Sequence, residues 1–287
     1  MHTRHKKHKA ITRSAGGNGL AFLFLLLLGA FTALPIVYSV INAFKPLPEL
    51  FTYPPRFFVQ RPTLQNFSEL FRLQQDMLVP IERYLLNSLF VTVVGTGLYV
   101  LIASLAAYPL ARFDFTGKRI LFQLVVLCIL FRTEVTAIPQ YVVMAKLRLI
   151  DTLGAVILPI MGTTFGVFLM RQFMEGIPND ILEAARVDGL NEGGVFWRIV
   201  IPMVRPAMLT LVIFTFQSLW NNNGVQVIYN ENLKLLPTAL QQISTSGFER
   251  AGVAAVIAVV LMLPPILLFF FSQRAVIETM AYSGMKM

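Results

Sequence analysis

Few residues of this sequence have the types and spacing that enzymatic chemistry requires. The three histidines, His2, His5 and His8, all lie near the N-terminus among lysines and arginines. Their regular spacing invites a metal-site interpretation, but histidines that alternate with basic residues are a poor preformed ligand set, and we favour a flexible cationic tail. The single cysteine, Cys128, lies in an apolar run, so no intrachain disulfide can form.

Motifs of the common enzyme classes are absent from the sequence. No glycine-rich loop ends in Gly-Lys-Ser or Gly-Lys-Thr, which excludes a P-loop for ATP hydrolysis. No His-Glu-x-x-His occurs, and histidines confined to the tail cannot serve an intramembrane metalloprotease or a Ser–His pair. We therefore expect a chain that is not an enzyme and that holds no cofactor or metal of its own.

The composition is that of a membrane protein. Of 287 residues, 56% are hydrophobic and only 14% are charged, whereas soluble domains have about 25% charged residues. The net charge of +9 is spread over the gaps between apolar runs, which is typical of membrane topology; a nucleic-acid binder would concentrate it on one face. We therefore expect the chain to contact membrane lipid and not to bind nucleic acid.

The apolar runs predict an all-α integral membrane fold with six transmembrane helices. We place these at about 20–41, 84–110, 120–144, 153–170, 207–228 and 251–271. The predicted domains are a basic tail over 1–19, a six-span domain over 20–273 and a C-terminal tail over 274–287. A cleaved signal peptide is an alternative for the first run, but its apolar region would be shorter.

The distribution of basic residues predicts the orientation of the chain. Six spans put both termini on the same side, and the larger share of Lys and Arg lies in the segments on that side. The positive-inside rule therefore places both termini, and the segment 176–205, in the cytoplasm. In the sixth span, Pro264 and Pro265 free backbone carbonyls that neighbouring helices must satisfy.

The segment 176–205 is too short and too polar to span a bilayer. It reads Glu183-Ala184-Ala185-Arg186-Val187-Asp188-Gly189 and, after nine further residues, Ile199-Val200-Ile201-Pro202. This pattern predicts an amphipathic helix, a glycine break and a second helix over about Val195–Val200 that is stopped by Pro202. The apolar residues that we expect to form a docking surface are Leu182, Ala185, Val187 and Leu190.

This spacing resembles the signature loop of permease subunits of bacterial ABC importers. That loop has Glu-Ala-Ala, three residues, Gly, nine residues and Ile-x-(Leu or Ile)-Pro, and Ile201 stands here where Leu is usual. Further short matches resemble the carbohydrate branch, in the position of the maltose-type second permease, within the binding-protein-dependent transport inner-membrane family. They include Asn87-Ser88-Leu89, Phe115-Thr116-Gly117-Lys118, Ile150-Asp151-Thr152 and Arg171-Gln172-Phe173.

The resemblance implies a type I ABC importer permease that carries a sugar or oligosaccharide across a bacterial plasma membrane. It implies a second permease subunit that is a different, homologous chain, two ABC ATPase subunits that carry ATP and Mg²⁺, and an extracytoplasmic sugar-binding protein. In the family, the loop forms coupling helices that sit in a cleft of the ATPase. The residues expected to couple are Glu183, Ala184, Ala185, Asp188, Gly189, Ile199 and Pro202.

Polar residues inside the fifth predicted span are candidates for the substrate path. Gln217 and Asn221 are four residues apart, as are Ser218 and Asn222, so each pair shares a helix face. Recognition of sugar hydroxyls competes with interhelical hydrogen bonding as their role. Trp220 could stack on a sugar ring or pack in the bundle.

Arg132 and Glu134 place two charges in the third predicted span. Such charges are costly in a bilayer, so we expect them at a gate or on the path, with snorkelling to the outer surface as the alternative.

Two other classes remain as alternatives. A self-contained secondary transporter or channel would favour inverted repeats, and no convincing repeat is visible in the sequence. A helix-turn-helix DNA reader over 182–201 conflicts with its place between spans and its few basic residues.

Overall fold

The computed structural model describes residues 15–76, 79–131, 133–245 and 247–284, and within these ranges every regular element is helical. The α-helices are α1 (Ala15–Ala43), α2 (Leu47–Leu50), α3 (Gln65–Asp76), α4 (Ile81–Arg112), α5 (Lys118–Ile129), α6 (Thr133–Lys146), α7 (Gly154–Met161), α8 (Phe165–Glu175), α9 (Asn179–Val187), α10 (Glu192–Val195), α11 (Ile201–Met203), α12 (Arg205–Trp220), α13 (Leu236–Thr245) and α14 (Ala251–Gly284). The all-α fold class is therefore as predicted.

Three helical stretches, in the part of the chain that the structure describes, are long and apolar enough to cross a membrane alone. They are Gly19–Ala43, Ile81–Arg112 and Phe248–Gln273. Two bent pairs also qualify if each counts as one span: α7 with α8, at 41°, and the helix of residues 192–203 with α12, at 75°. Together with α5 and α6, these elements occupy the places of the six predicted spans.

Besides the bent fourth span, the third and fifth predicted spans are shorter or more broken than the apolar runs indicated. The third is two helices, because α5 ends at Ile129 and the next amides bond only three residues back. The fifth ends at Trp220 and does not reach residue 228. There, the Oδ1 atom of Asn222 accepts the backbone N–H of Gly224 at 2.8 Å, a local hydrogen bond that competes with continued helix.

Helix α14 runs unbroken through residue 274, where the sequence predicted a change from span to tail. Its 34 residues correspond to about 51 Å at 1.5 Å per residue. The apolar layer of a bilayer is about 30 Å thick. The helix therefore extends well beyond the length needed for one crossing.

Helix α4 is the central element of the bundle and packs against α7, α8, α12 and α13. Small residues allow the crossing with α8 to be tight: a Cβ on Gly166 would lie 2.6 Å from the hydroxyl oxygen of Tyr99. The backbone N–H of Gly166 donates to that same oxygen at 2.7 Å. Close backbone approach of this kind is how membrane helices gain packing energy without a hydrophobic driving force.

A tryptophan on α12 satisfies a backbone carbonyl that a proline frees in α14. Pro265 has no N–H, so the carbonyl of Leu261, four residues earlier, loses its helical partner. The indole N–H of Trp220 donates to this carbonyl oxygen at 2.8 Å. Trp220 is fully buried, and its ring stacks on Phe216 at a centroid distance of 6.0 Å. The predicted support of the proline site by a neighbouring helix is thus present.

We expect Trp220→Phe to destabilise the fold by about 1–3 kcal/mol, because the Leu261 carbonyl would be left unsatisfied. In a Pro265→Leu background, the backbone N–H of residue 265 can again bond to the Leu261 carbonyl. Trp220→Phe should therefore lower the free energy of unfolding by less in this background. A double-mutant cycle in detergent, followed by circular dichroism during unfolding, measures this coupling. Pro264→Leu is the matched control, because it restores the bond to Val260 instead. If the coupling free energy of Trp220→Phe with Pro264→Leu equals that with Pro265→Leu, Trp220 does not compensate specifically for Pro265.

Candidate functional site

Helix α9 divides the segment 176–205 into an inward and an outward face. Leu182 and Ala185, three residues apart and so on one face, are buried in a core formed with α4, α8 and α12. Glu183 and Ala184 are exposed, and Val187 is 87% exposed. Of the expected docking surface, Leu182 and Ala185 are therefore covered by this chain's own core.

The turn after α9 requires a glycine. Gly189 has φ 89°, a left-handed conformation in which a Cβ is costly. Asp188, which precedes it, is exposed. Asn191 then caps the second helix: its Oδ1 atom accepts the backbone N–H of Gly194 at 2.7 Å. The sequence interpretation overlooked Asn191, although an Asn before a Glu is a recognised helix-start signal.

The second helix of the segment is longer than predicted. It runs continuously over residues 192–203, with a π-helical turn at Phe196–Val200 between α10 and α11. Pro202 lies inside its last turn and does not stop it at residue 200; the chain turns at Val204, where φ is −93°. Ile199 is half-buried against the core, so it supports the helix from inside, whereas Pro202 is exposed.

A carboxylate joins both helices of the segment to α4. Glu192 accepts the hydroxyl of Tyr108, from α4, through Oε2 at 2.8 Å. Its other oxygen accepts the Nε–H of Arg186, from α9, at 2.8 Å. The hydrogen bond from Arg186 holds the pKa of Glu192 below its ordinary value, and the Tyr108 hydroxyl acts in the same direction. Glu192 thus links three helices at one point.

Arg112, the last residue of α4, fixes the start of the segment. Its guanidinium donates to the backbone carbonyl of Ile177 at 2.6 Å and to that of Met174. It also donates to the side-chain oxygen of Asn179 at 2.7 Å. The sequence interpretation used Arg112 only as a topology signal. A basic residue at the end of a long helix is a general candidate for binding carbonyl groups, but nothing local identifies which carbonyls.

The opposite end of α4 holds the chain that follows α12, residues 221–235, which we call the return segment. The side-chain amide of Asn87 donates to the carbonyls of Asn232 and Lys234 at 2.9 and 3.0 Å. The Tyr84 hydroxyl donates to Glu231 at 2.5 Å. Burial acts to raise the pKa of Glu231, but the hydrogen bonds from Lys234 and Tyr84 outweigh it and lower that pKa.

A groove of about 690 Å³ opens between α5, α6, α7, the end of α12 and the return segment. Its lining is partly apolar and partly composed of uncharged amides and hydroxyls. The polar side chains that line it include Thr136, Gln140, Thr163, Ser218, Asn222 and Gln226. Concave sites of this size with a few polar groups are typical of small-molecule binding.

The predicted path residues separate into three groups. Asn222 lines the groove together with Ser218, its predicted helix-face partner. Gln217 and Asn221 are exposed but do not line it. Trp220 is in the packed core, which removes it from the lining.

The structure describes little of the two charged candidates of the third predicted span. Arg132 lies outside the described residues, and only the backbone of Glu134, in α6, is described. Their neighbours Ile129 and Phe131 line the groove.

Broken spans around a groove, with a two-helix loop at one end, define a membrane transport permease. Residues 99–282 match the family described as binding-protein-dependent transport system inner membrane component. The chain belongs to this family. It is a permease subunit of an ABC importer, which confirms the predicted fold and excludes the self-contained secondary transporter.

Similar proteins support the assignment. The chain is 33% identical to Protein LplC of Bacillus subtilis over 229 residues, which covers 77% of this chain and 74% of that protein. It is 32% identical to the polygalacturonan/rhamnogalacturonan transport system permease protein YtcP of the same organism, covering 75% and 73%. A chain of a bacterial ABC transporter crystal structure shares the fold, with a TM-score of 0.77 and 20% identity over 92% of this chain and 99% of that one.

Glu192→Ala should loosen the segment 176–205. Loss of two hydrogen bonds to a charged group is expected to raise amide exchange in α9 and α10 by roughly tenfold. Hydrogen-exchange mass spectrometry measures this, with Glu183→Ala, at an exposed position of α9, as the control. Because the folded-state pKa of Glu192 is lowered, the protection should be complete above about pH 4.5 and decline as the pH falls through that lowered pKa. Equal exchange in both variants would contradict this role.

Proposed function

We propose that this permease imports a sugar or oligosaccharide and that the groove is its side of the translocation path. The proposal is based on the side chains that line the groove. In the described part of the chain, the side chains of Gln140, Ser218 and Gln226 have no hydrogen-bond partner, so their amides and hydroxyl are available to a ligand. Such uncharged donors and acceptors match the hydroxyls of a sugar.

The names of relatives favour the same substrate class. YtcP is a polygalacturonan/rhamnogalacturonan permease, and AraQ of Bacillus subtilis, 30% identical over 223 residues, is an arabinooligosaccharide permease. The transporter of the matched crystal structure imports the acidic polysaccharide alginate. Carried over to this chain, these names support a glycan substrate. Arg132 and Glu134 are further proposed path residues.

The loop 176–205 is the proposed contact with a separate ATPase. The positive-inside distribution of Lys and Arg puts this loop, and both termini, in the cytoplasm. Its outward surface combines the free carboxylates of Glu183 and Asp188 with Ala184 and the exposed Val187. A small residue beside an exposed apolar one suits close docking in a cleft, and Glu183 suits a basic or hydrogen-bonding group of the partner.

The remaining partners follow from the family and complete the importer. We infer a second, homologous permease chain, two ABC ATPase subunits that bind ATP and Mg²⁺, and an extracytoplasmic sugar-binding protein that meets the end of the return segment. A related alginate transporter is known in complex with a pentasaccharide-bound periplasmic protein, which supports the last inference. Closure of the ATPase dimer would move the loop 176–205 and, through α4, the groove.

The groove assignment predicts that Gln226→Ala raises the KM for uptake roughly tenfold, because one or two hydrogen bonds to the substrate are lost. Radiolabelled arabinan, galacturonan and alginate oligosaccharides, offered to cells with the complete importer, identify the substrate and measure this KM. Gln217→Ala is the control, since it removes an exposed amide outside the groove. If both variants transport like the wild type, Gln226 is not a path residue.

The docking assignment predicts that Val187→Glu abolishes copurification of the ATPase while membrane insertion is retained. A buried, unpaired carboxylate in the interface would carry a desolvation cost of several kcal/mol. Val187→Leu, which keeps an apolar side chain of similar shape, should copurify normally. Quantitative pull-down of the solubilised complex tests both, and retention of the ATPase by Val187→Glu would refute the proposed surface.

A further inference from the structure

Asp151 lies in the link between α6 and α7 and has an unusual backbone conformation. Its φ is 63°, in the left-handed region. Only a few per cent of residues other than glycine lie there, with Asp and Asn enriched. One other residue of the same link, Arg148, also has a positive φ, at 57°. The mechanism proposed above assigns no role to Asp151.

Three hydrogen bonds connect Asp151 to the return segment, which is more than seventy residues away in the sequence. Its Oδ1 atom accepts the backbone N–H of Tyr229 at 2.9 Å and that of Asn230 at 2.7 Å. Its own N–H donates to the carbonyl of Val227 at 2.8 Å. Bonds from backbone N–H groups to a carboxylate are among the stronger hydrogen bonds in proteins.

These bonds restrain the stretch of the return segment that faces the groove. Residues 222–227 line the groove. At the start of the stretch, Thr238 donates to the carbonyl of Asn223 at 2.5 Å; beyond its end, Asn87 binds the carbonyls of Asn232 and Lys234. Between these two points, Asp151 supplies three further hydrogen bonds. Asp151 does not itself line the groove.

We propose that Asp151 is a positioning residue that sets the width of the groove and thereby which substrates it admits. It acts through the backbone of Val227, Tyr229 and Asn230 and touches no substrate. The effect on substrate choice rests on the proposed function of the groove as the translocation path. The effect on the position of the return segment does not depend on that function.

Three substitutions of Asp151 test the side-chain hydrogen-bond acceptor and the left-handed backbone conformation separately. Asp151→Asn keeps an oxygen acceptor and tolerates the left-handed conformation. Asp151→Gly keeps the conformation but removes the acceptor, and Asp151→Ala removes both. Arg148→Gly is the matched control: it relaxes the other positive φ of the link at a residue whose amide bonds only to Ala145. Asp151→Asn and Arg148→Gly should therefore resemble the wild type.

The position of the return segment is measured as a spin-label distance between Phe90, on α4, and Val225, in the complete importer. Both residues are substituted by cysteine in a Cys128→Ser background, so that only they are labelled. The wild type, Asp151→Asn and Arg148→Gly should give one narrow distance distribution, and Asp151→Gly and Asp151→Ala a broad one. An unchanged distribution in Asp151→Gly would overturn the proposal.

Uptake kinetics then test the effect on substrate choice. In Asp151→Gly we expect KM for the preferred oligosaccharide to rise roughly tenfold, with kcat changed much less, because the two lost charge-assisted hydrogen bonds hold Tyr229 and Asn230, next to the end of the lining. The ratio of kcat/KM between oligosaccharides of different length should fall towards unity, and Asp151→Asn should restore it. A broadened distance distribution with unaltered KM and length preference would overturn the role in substrate choice.

A separate measurement distinguishes failure of this inference from failure of the proposed function. In an importer that keeps Asp151 and carries Cys128→Ser, because Cys128 also lines the groove, substrate should protect Val225→Cys from a membrane-impermeant maleimide. Absence of protection would refute the groove as the path, and with it the effect on substrate choice. The spin-label distances would still decide whether Asp151 positions the return segment.

Discussion

A helix that crosses a bilayer can place strongly polar groups only where they find hydrogen-bond partners, and the structure depends on this constraint. In α4, such groups lie at both ends of the helix and bind other segments there. Tyr84 and Asn87 bind the return segment at one end, and Tyr108 and Arg112 bind the loop 176–205 at the other. The helix between them has 32 residues, about 48 Å at 1.5 Å per residue. Both functional segments are therefore attached to the same rigid element.

This attachment explains how the loop 176–205 can act on the distant groove. One buried core joins α9 and the helix of residues 192–203 to α4, α8 and α12. Packed interiors deform little, so a displacement of the loop moves these helices together. The first helix stands apart, since α1 packs on α14 and exposes most of its apolar side chains, as a lipid-facing helix would. The loop is thus connected to the centre of the bundle and not to its edge.

Features that follow from a local rule could be predicted from the sequence. The apolar runs identified the membrane fold, and Gly189 identified the turn, because a left-handed φ favours glycine. The sequence was insufficient where the answer depends on distant neighbours. Helix α9 has apolar residues on both faces, so only the packing reveals that Ala185 faces inward and Val187 outward. Mean hydropathy likewise does not predict the end of α12 at Trp220, although the three asparagines that follow are residues that favour turns.

Trp220 and Asn222 show what separates structural from functional polar groups inside such a bundle. Both carry polar groups, both lie at the end of the apolar helix α12, and both were candidates for the substrate path. The indole N–H of Trp220 is fully occupied by a carbonyl that Pro265 leaves free, so this residue repairs the fold. Asn222 uses its oxygen in a local turn and keeps its amide donors at the groove. The indole of Trp220 therefore stabilises the structure, whereas the amide donors of Asn222 lie exposed at the groove, the proposed path.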